Sequence, residues 1–417
     1  MQKDKRFWIG LGLLNLGLVA MFGLLMRSKI LFSIPFLDYR NLLSAHSHFA
    51  FSGWVGLVLI VVLIYDVMSP KLAEKKRYQG VLWGLEISSL GMAFTFPFTG
   101  YNAVSIFFSS AYILVTYVFG WLFFKDLRQQ PPLHPVVRWL SIGAVVSLLL
   151  SAIGPLGLSY ILFTKSGNSL LYRDSVYTFL HFQYNGFFTL SVFAVFFSRW
   201  IRKGFSLPPA AKRFSLLLLA SVFPALFLAL LWHNQLIFYV LAAIGCLCIL
   251  ASVIYFLPEF KKSAASNIID QPLAKVFWTA SFVSFALKML LTIGTIYPPL
   301  GHAVYGARPV IIGFLHLVFL AFVSFFIFSV FLEEGYFHRH KKIVAFPFYL
   351  FGTGVLANES LLMIQGLEIL FKTNSNVYNW LLWGAAILLF IGALSLAATF
   401  HFIKTSKKTE TRFATSV

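Results

Sequence analysis

Residues 42–65 read LLSAHSHFAFSGWVGLVLIVVLIY. No Asp, Glu, Lys or Arg interrupts the run, and it exceeds the roughly 20 residues that a helix needs to cross a bilayer. A helix on the surface of a soluble protein keeps one charged face, whereas this stretch is apolar on all sides apart from two histidines and three serines near its start. Runs of the same kind recur at 7–26, 79–97, 103–124, 136–162, 176–198, 214–233, 236–257, 274–296, 309–332, 343–370 and 377–403. The pattern predicts an all-α fold of about twelve transmembrane helices. Turn chemistry separates the runs at Phe96-Pro97-Phe98-Thr99-Gly100, at His233-Asn234-Gln235 and at Tyr297-Pro298-Pro299. No loop is long enough for a soluble module, so residues 1–417 read as a single transmembrane helical domain. The two halves show no close repeat, which disfavours transporter folds built by duplication.

Composition supports the same class. The chain is 59% hydrophobic and 11% charged, where a soluble domain carries about 25% charged residues. Its 48 phenylalanines suit a lipid-facing surface or the surroundings of a large flat cofactor. A net charge of +19 does not indicate nucleic acid, because the basic residues sit in short loops between apolar runs. With the runs alternating in direction, 25 of the 33 Lys and Arg residues fall on one side. By the positive-inside rule that side is cytoplasmic and holds both termini. The start, Met1 to Arg6 before an apolar run to Met26, lacks a small-residue cleavage site and reads as an uncleaved first helix. The two cysteines, Cys246 and Cys248, lie inside one apolar run, which excludes a disulfide framework, a cysteine zinc cluster and covalent haem attachment.

Polar side chains in hydrocarbon are costly and usually functional, so the intramembrane histidines carry the most information. His46 and His48 lie roughly 6–9 Å below the outer edge of the second span, at 1.5 Å per residue. The same arithmetic puts His181 about 8 Å deep in the sixth span and His316 about 10 Å deep in the tenth. His233 ends the seventh span near the same face. Imidazole is the commonest protein ligand for metals and also ligates haem iron. His316 facing His46 or His48 would suit a bis-histidine haem. Residues two apart on a helix point about 200° from one another, so His46 and His48 serve different surroundings. The bland alternative is that these histidines are hydrogen-bonded packing residues. His134, His302, His338, His340 and His401 lie outside the layer and need no special role.

The segment Ala45-His46-Ser47-His48-Phe49-Ala50-Phe51-Ser52-Gly53-Trp54-Val55 resembles the haem-ligand helix of the haem–copper oxidase subunit I superfamily. His181-Phe182-Gln183-Tyr184-Asn185-Gly186-Phe187-Phe188 resembles the sixth-helix segment of nitric oxide reductases, whose histidine binds the non-haem metal. Gly313-Phe314-Leu315-His316-Leu317 resembles the tenth-helix segment that supplies a low-spin haem ligand. The resemblance implies a bacterial cytoplasmic (inner) membrane protein and a b-type haem held by His316 with His46 or His48. It also implies a second metal, copper or non-haem iron, at His181 and His233. Departures are plain: Phe314 stands where the high-spin haem ligand would be, Asn185 replaces a reductase glutamate, and Tyr184 is one place short of the oxidase tyrosine. The usual haem–copper centre therefore reads as degraded.

Other ionisable groups lie in the spans: Glu86 in the third, Lys288 in the ninth and Glu359 in the eleventh. Lys288 suggests a proton path, a haem-propionate contact or an ion pair with Glu359; Gln183 and Asn185 suit groups that orient His181. The leading expectation is electron transfer, or binding or reduction of nitric oxide or oxygen, by an oxidoreductase of the haem–copper type. Membrane lipid surrounds the chain, and quinol or another redox subunit would supply electrons. The alternatives are a proton-coupled secondary transporter and a cofactor-free membrane scaffold or assembly factor.

Overall fold

The computed structural model describes residues 3–265, 268–301, 307–337, 342–371 and 375–402. Among the described residues all regular structure is helical. The long helices are α1 Lys3–Leu31, α2 Tyr39–Val67, α3 Lys76–Thr99, α4 Ala103–Gln129, α5 Pro135–Thr164 and α6, residues 169–202. They continue with α7 Pro209–His233, α8 Leu236–Ala265, α9 Pro272–Gly294, α10 Arg308–Glu333, α11 Lys342–Leu370 and α12 Val377–Phe402. Ten of these are long and apolar enough to cross a membrane, which makes the chain an integral membrane protein. The other two, α6 and α11, have the length but are interrupted by polar side chains. His181, Gln183 and Asn185 break the apolar run of α6, and Asn358 and Glu359 that of α11. Apolarity alone thus supports ten spans where the sequence predicts twelve.

Helix ends follow local chemistry. Asp38 caps α2 by accepting from the amides of Arg40 and Asn41. The turn expected at Phe96–Gly100 is tighter than the sequence suggests, because α3 runs through Pro97 to Thr99 and stops at Gly100. Gly100 has φ of +57°, and a Cβ there would also lie 2.5 Å from Asn41 Oδ1. The expected His233-Asn234-Gln235 break is present: α7 ends in a tight 3₁₀ stretch and Asn234 adopts a left-handed conformation, φ 52°.

Helix α2 is the axis of the bundle. Of its most apolar stretch 89% is buried, against 28% for α4, which lies at the rim. Around α2 pack α1, α3, α6 and α10, and α12 covers α1. Three central helices carry a π-helical segment: Ala50–Gly56 in α2, Phe182–Phe188 in α6 and Leu317–Ser324 in α10. Two of them begin directly after a histidine, His181 and His316, and the third begins two residues after His48.

At the opposite end of the bundle from these histidines, charges are paired. Asp66, its side chain 1% exposed, takes Lys5 at 2.9 Å and Arg202 at 2.8 Å, with Arg199 at 3.9 Å. Glu334 pairs with Lys5 and Arg199, and Glu333 with Lys203 at 2.6 Å. Burial, then the neighbouring Glu334 and Asp66 carboxylates, raise the Tyr336 phenol above its ordinary value, so it stays protonated beside them. This cluster joins the start of α1 to the ends of α2, α6 and α10, as alternating spans require.

Candidate functional site

His46 and His316 come together. Their ring centroids are 6.5 Å apart and their planes stand at 89°. Each ring is held through Nδ1. His46 Nδ1–H donates to the Val19 carbonyl of α1 at 3.0 Å, and His316 Nδ1 meets the Asn358 amide of α11 at 3.1 Å. Neither Nε2 has a hydrogen-bond partner among the described residues. Gly23 lets α1 pass close to His46, since a Cβ there would lie 3.3 Å from the ring.

This spacing can be compared with that of a shared metal. Two imidazoles that bind one metal ion from opposite sides, at about 2.0–2.1 Å per metal–nitrogen bond, place their ring centres a little over 6 Å apart. The observed separation fits. Ligation through Nε2 needs the proton on Nδ1, which His46 has through Val19. On the His316 side the Asn358 nitrogen now points at Nδ1 and also donates to Glu359 at 3.0 Å. Turning that amide over presents its oxygen to Nδ1–H with no change of shape, and also to Glu359 Oε1, so that arrangement requires the Glu359 carboxyl to carry a proton and donate to Asn358. Arg27 of α1 lies within electrostatic range of both histidines and of Arg308. Arg308 donates to the Tyr39 hydroxyl at 2.7 Å. Among the described residues neither arginine has a carboxylate partner.

The other histidines go elsewhere. His48 faces away from His46, as the helical repeat requires: Nδ1–H donates to the Ser44 carbonyl at 2.8 Å and Nε2 faces the Tyr101 hydroxyl at 3.3 Å. His181 has both nitrogens engaged, with Nε2–H donating to the Val222 carbonyl at 2.7 Å and Nδ1 accepting from Asn185 Nδ2 at 3.1 Å. His233 is held by the Asp174 carboxylate at 2.9 Å, near the end of α7. Among the described residues His181 and His233 share no partner. No group of three or more His, Cys, Asp and Glu side chains able to hold a metal ion occurs among the described residues. His134 caps α5 and His401 reaches the Gly10 carbonyl; His302, His338 and His340 lie outside the described residues.

A cavity beside His181 is lined by Tyr184, Asn185, Thr292 and Phe314, among others. The Phe314 ring packs on Tyr184 at 5.5 Å where the resemblance would put a high-spin haem ligand. Lys288 is fully buried and donates to Thr189 Oγ1 at 2.9 Å and to the Tyr184 carbonyl at 3.3 Å. Glu359 pairs with Asn358 and not with Lys288. Glu86 accepts from Asn15 at 2.8 Å, and Asn15 also donates to the Gly53 carbonyl. Lys288, Glu86 and Glu359 thus occupy three separate places and form no chain among the described residues. Because Lys288 meets only neutral acceptors among the described residues, Lys288→Met, which keeps the volume, is expected to change stability by less than about 2 kcal/mol in either direction. Loss of folding in detergent would contradict this.

Sequence reasoning missed three contributors to this site: Val19 as the His46 acceptor, Asn358 as the His316 partner, and the proximity of Arg27 to the histidine pair. Asn358 was legible as a buried polar residue, but its partner required the fold. Protein-family models searched with this chain give no match, and neither do the curated proteins.

Proposed function

We propose that the protein is a membrane haem protein of the haem–copper oxidase subunit I type that holds one b-type haem between His46 and His316. The carrying observation is the pair itself: two imidazoles from different helices, 6.5 Å apart, with Nδ1 engaged on both sides. On this reading twelve spans cross a bacterial inner membrane, both termini are cytoplasmic, and the histidines lie in the outer half. Bound haem supplies a one-electron redox couple at this point of the bundle. Val19 fixes the His46 tautomer, Asn358 orients His316, and Arg27 and Arg308 offer guanidinium groups to the haem propionates.

The second centre of the superfamily is not part of the proposal. His181 is committed to Val222 and Asn185, His233 to Asp174, and Phe314 packs against Tyr184. The function supported best is electron transfer, for which a haem held by His46 and His316 would supply the redox couple and quinol or another redox subunit the electrons. Metal analysis of the purified protein is expected to give one iron per chain and no copper. Carbon monoxide is expected to leave the reduced spectrum unchanged, because His46 and His316 would both be bound to the iron. Stoichiometric copper, or a carbon monoxide-sensitive spectrum, would restore a second or open centre. Asn358→Ala is expected to weaken haem retention by about 10–100-fold, the usual cost of losing a ligand's hydrogen-bond partner; unchanged haem titration would remove Asn358 from the site.

A further inference from the structure

Three π-helical segments in one bundle, each beginning within two residues of a histidine, call for a physical account. A π turn closes i→i+5 hydrogen bonds, takes up one more residue than an α turn, and occurs mostly at functional sites. Here the segments are fastened. Thr189 Oγ1 donates back five residues to the Tyr184 carbonyl at 2.6 Å, and Ser324 Oγ does the same to Phe319 at 2.7 Å. Lys288 adds a second donor to Tyr184, and Trp54 Nε1–H donates to Ser324 Oγ at 2.8 Å, tying the segment of α2 to that of α10.

Each segment also gives one phenylalanine to a common cluster. Phe51 of α2 packs on Phe319 of α10 at 4.5 Å, Phe319 on Phe188 of α6 at 5.2 Å, and Phe51 on Phe188 at 5.8 Å. Phe188 is fully buried and Phe319 6% exposed. The cluster lies three residues beyond His48 in α2 and three beyond His316 in α10.

We infer that the π-segments set the direction of His46 and His316, and that Phe51, Phe188 and Phe319 are positioning residues that lock the three helices at that phase. An extra residue in a turn rotates everything before it by about 100° relative to everything after it. With α10 wound as a continuous α-helix, His316 would leave the face that meets His46. The inference rests on the haem reading for its purpose, but the geometry is testable without haem.

The experiment uses the full chain with Cys246→Ser and Cys248→Ser, in which His46→Cys and His316→Cys are joined by a short bifunctional thiol reagent. The parent is expected to cross-link, and deletion of Leu320 from the α10 segment to lower the yield by about tenfold or more. Equal cross-linking overturns the inference. If the deletion variant does not fold, Phe319→Ala takes its place: about a tenfold fall in yield is expected, with recovery in Phe319→Met. No change in Phe319→Ala overturns the positioning role. In the chain that retains its histidines, electron paramagnetic resonance of the oxidised haem reports the angle between the imidazole planes, and Phe319→Ala is expected to shift that signal. If the double-cysteine parent cross-links while the chain that retains its histidines takes up no haem, the haem reading is refuted and the π-segment inference stands. A histidine-retaining chain that holds haem, with an unshifted signal in Phe319→Ala, does the reverse.

Discussion

Replacing His316 with alanine is expected to abolish the low-spin haem spectrum of the purified protein. In the proposed site His46 and His316 would hold the haem iron between them. With methyl in place of imidazole that nitrogen ligand is gone, and Asn358, which meets Nδ1 on the other side of the ring, does not replace it. Loss of an axial ligand exceeds the roughly 10–100-fold that loss of a supporting hydrogen bond costs. Haem binding should therefore fall by more than about 100-fold, or persist in a high-spin form that takes up carbon monoxide. His46→Ala is expected to do the same, whereas His48→Ala should keep the spectrum, because His48 faces Ser44 and Tyr101. Visible spectra of the three variants, purified alike, check this. If His48→Ala loses haem while His46→Ala retains it, the assignment of the pair is wrong.

Asp66→Ala is expected to destabilise the folded protein by about 3–5 kcal/mol, the usual cost of breaking a buried ion pair from one side. The Asp66 side chain is 1% exposed and faces Lys5, Arg199 and Arg202. Truncation leaves three cations at the meeting point of four helices, with Glu334 able to answer two of them. Arg202→Ala should cost far less, about 0–1 kcal/mol, because that side chain is 49% exposed and water replaces it. Denaturant unfolding in detergent, followed by tryptophan fluorescence, measures both. Similar midpoints for Asp66→Ala and the parent would remove the cluster as a fastening of the bundle.

The helical, membrane-spanning class was legible because apolar runs of spanning length need no tertiary information. That His46 and His316 fall at similar heights along their helices was legible for the same reason, since rise per residue is fixed, and the two rings meet. Facing was not, and His46 and His316 meet through winding that the π-segments alter. A local insertion of one residue leaves no clear mark in apolar sequence. The opposed directions of His46 and His48 did follow from the helical repeat. Lys288 shows another limit: a buried lysine suggests a carboxylate partner, and Glu359 was the natural candidate, yet Lys288 donates to a carbonyl left accessible by the α6 π-segment. The basic residues Lys5, Arg199, Arg202 and Lys203 read as topology signals. Their acidic partners Asp66, Glu333 and Glu334 are far from Lys5 in sequence and near it in the fold alone.

The most direct test of the central claim is a reduced-minus-oxidised visible spectrum of the parent protein, purified in mild detergent after expression with ample haem. Sharp low-spin b-type bands at one haem per chain are the predicted result. A featureless spectrum from protein shown to be folded would contradict the bis-histidine site and leave His46 and His316 as a packed, hydrogen-bonded pair.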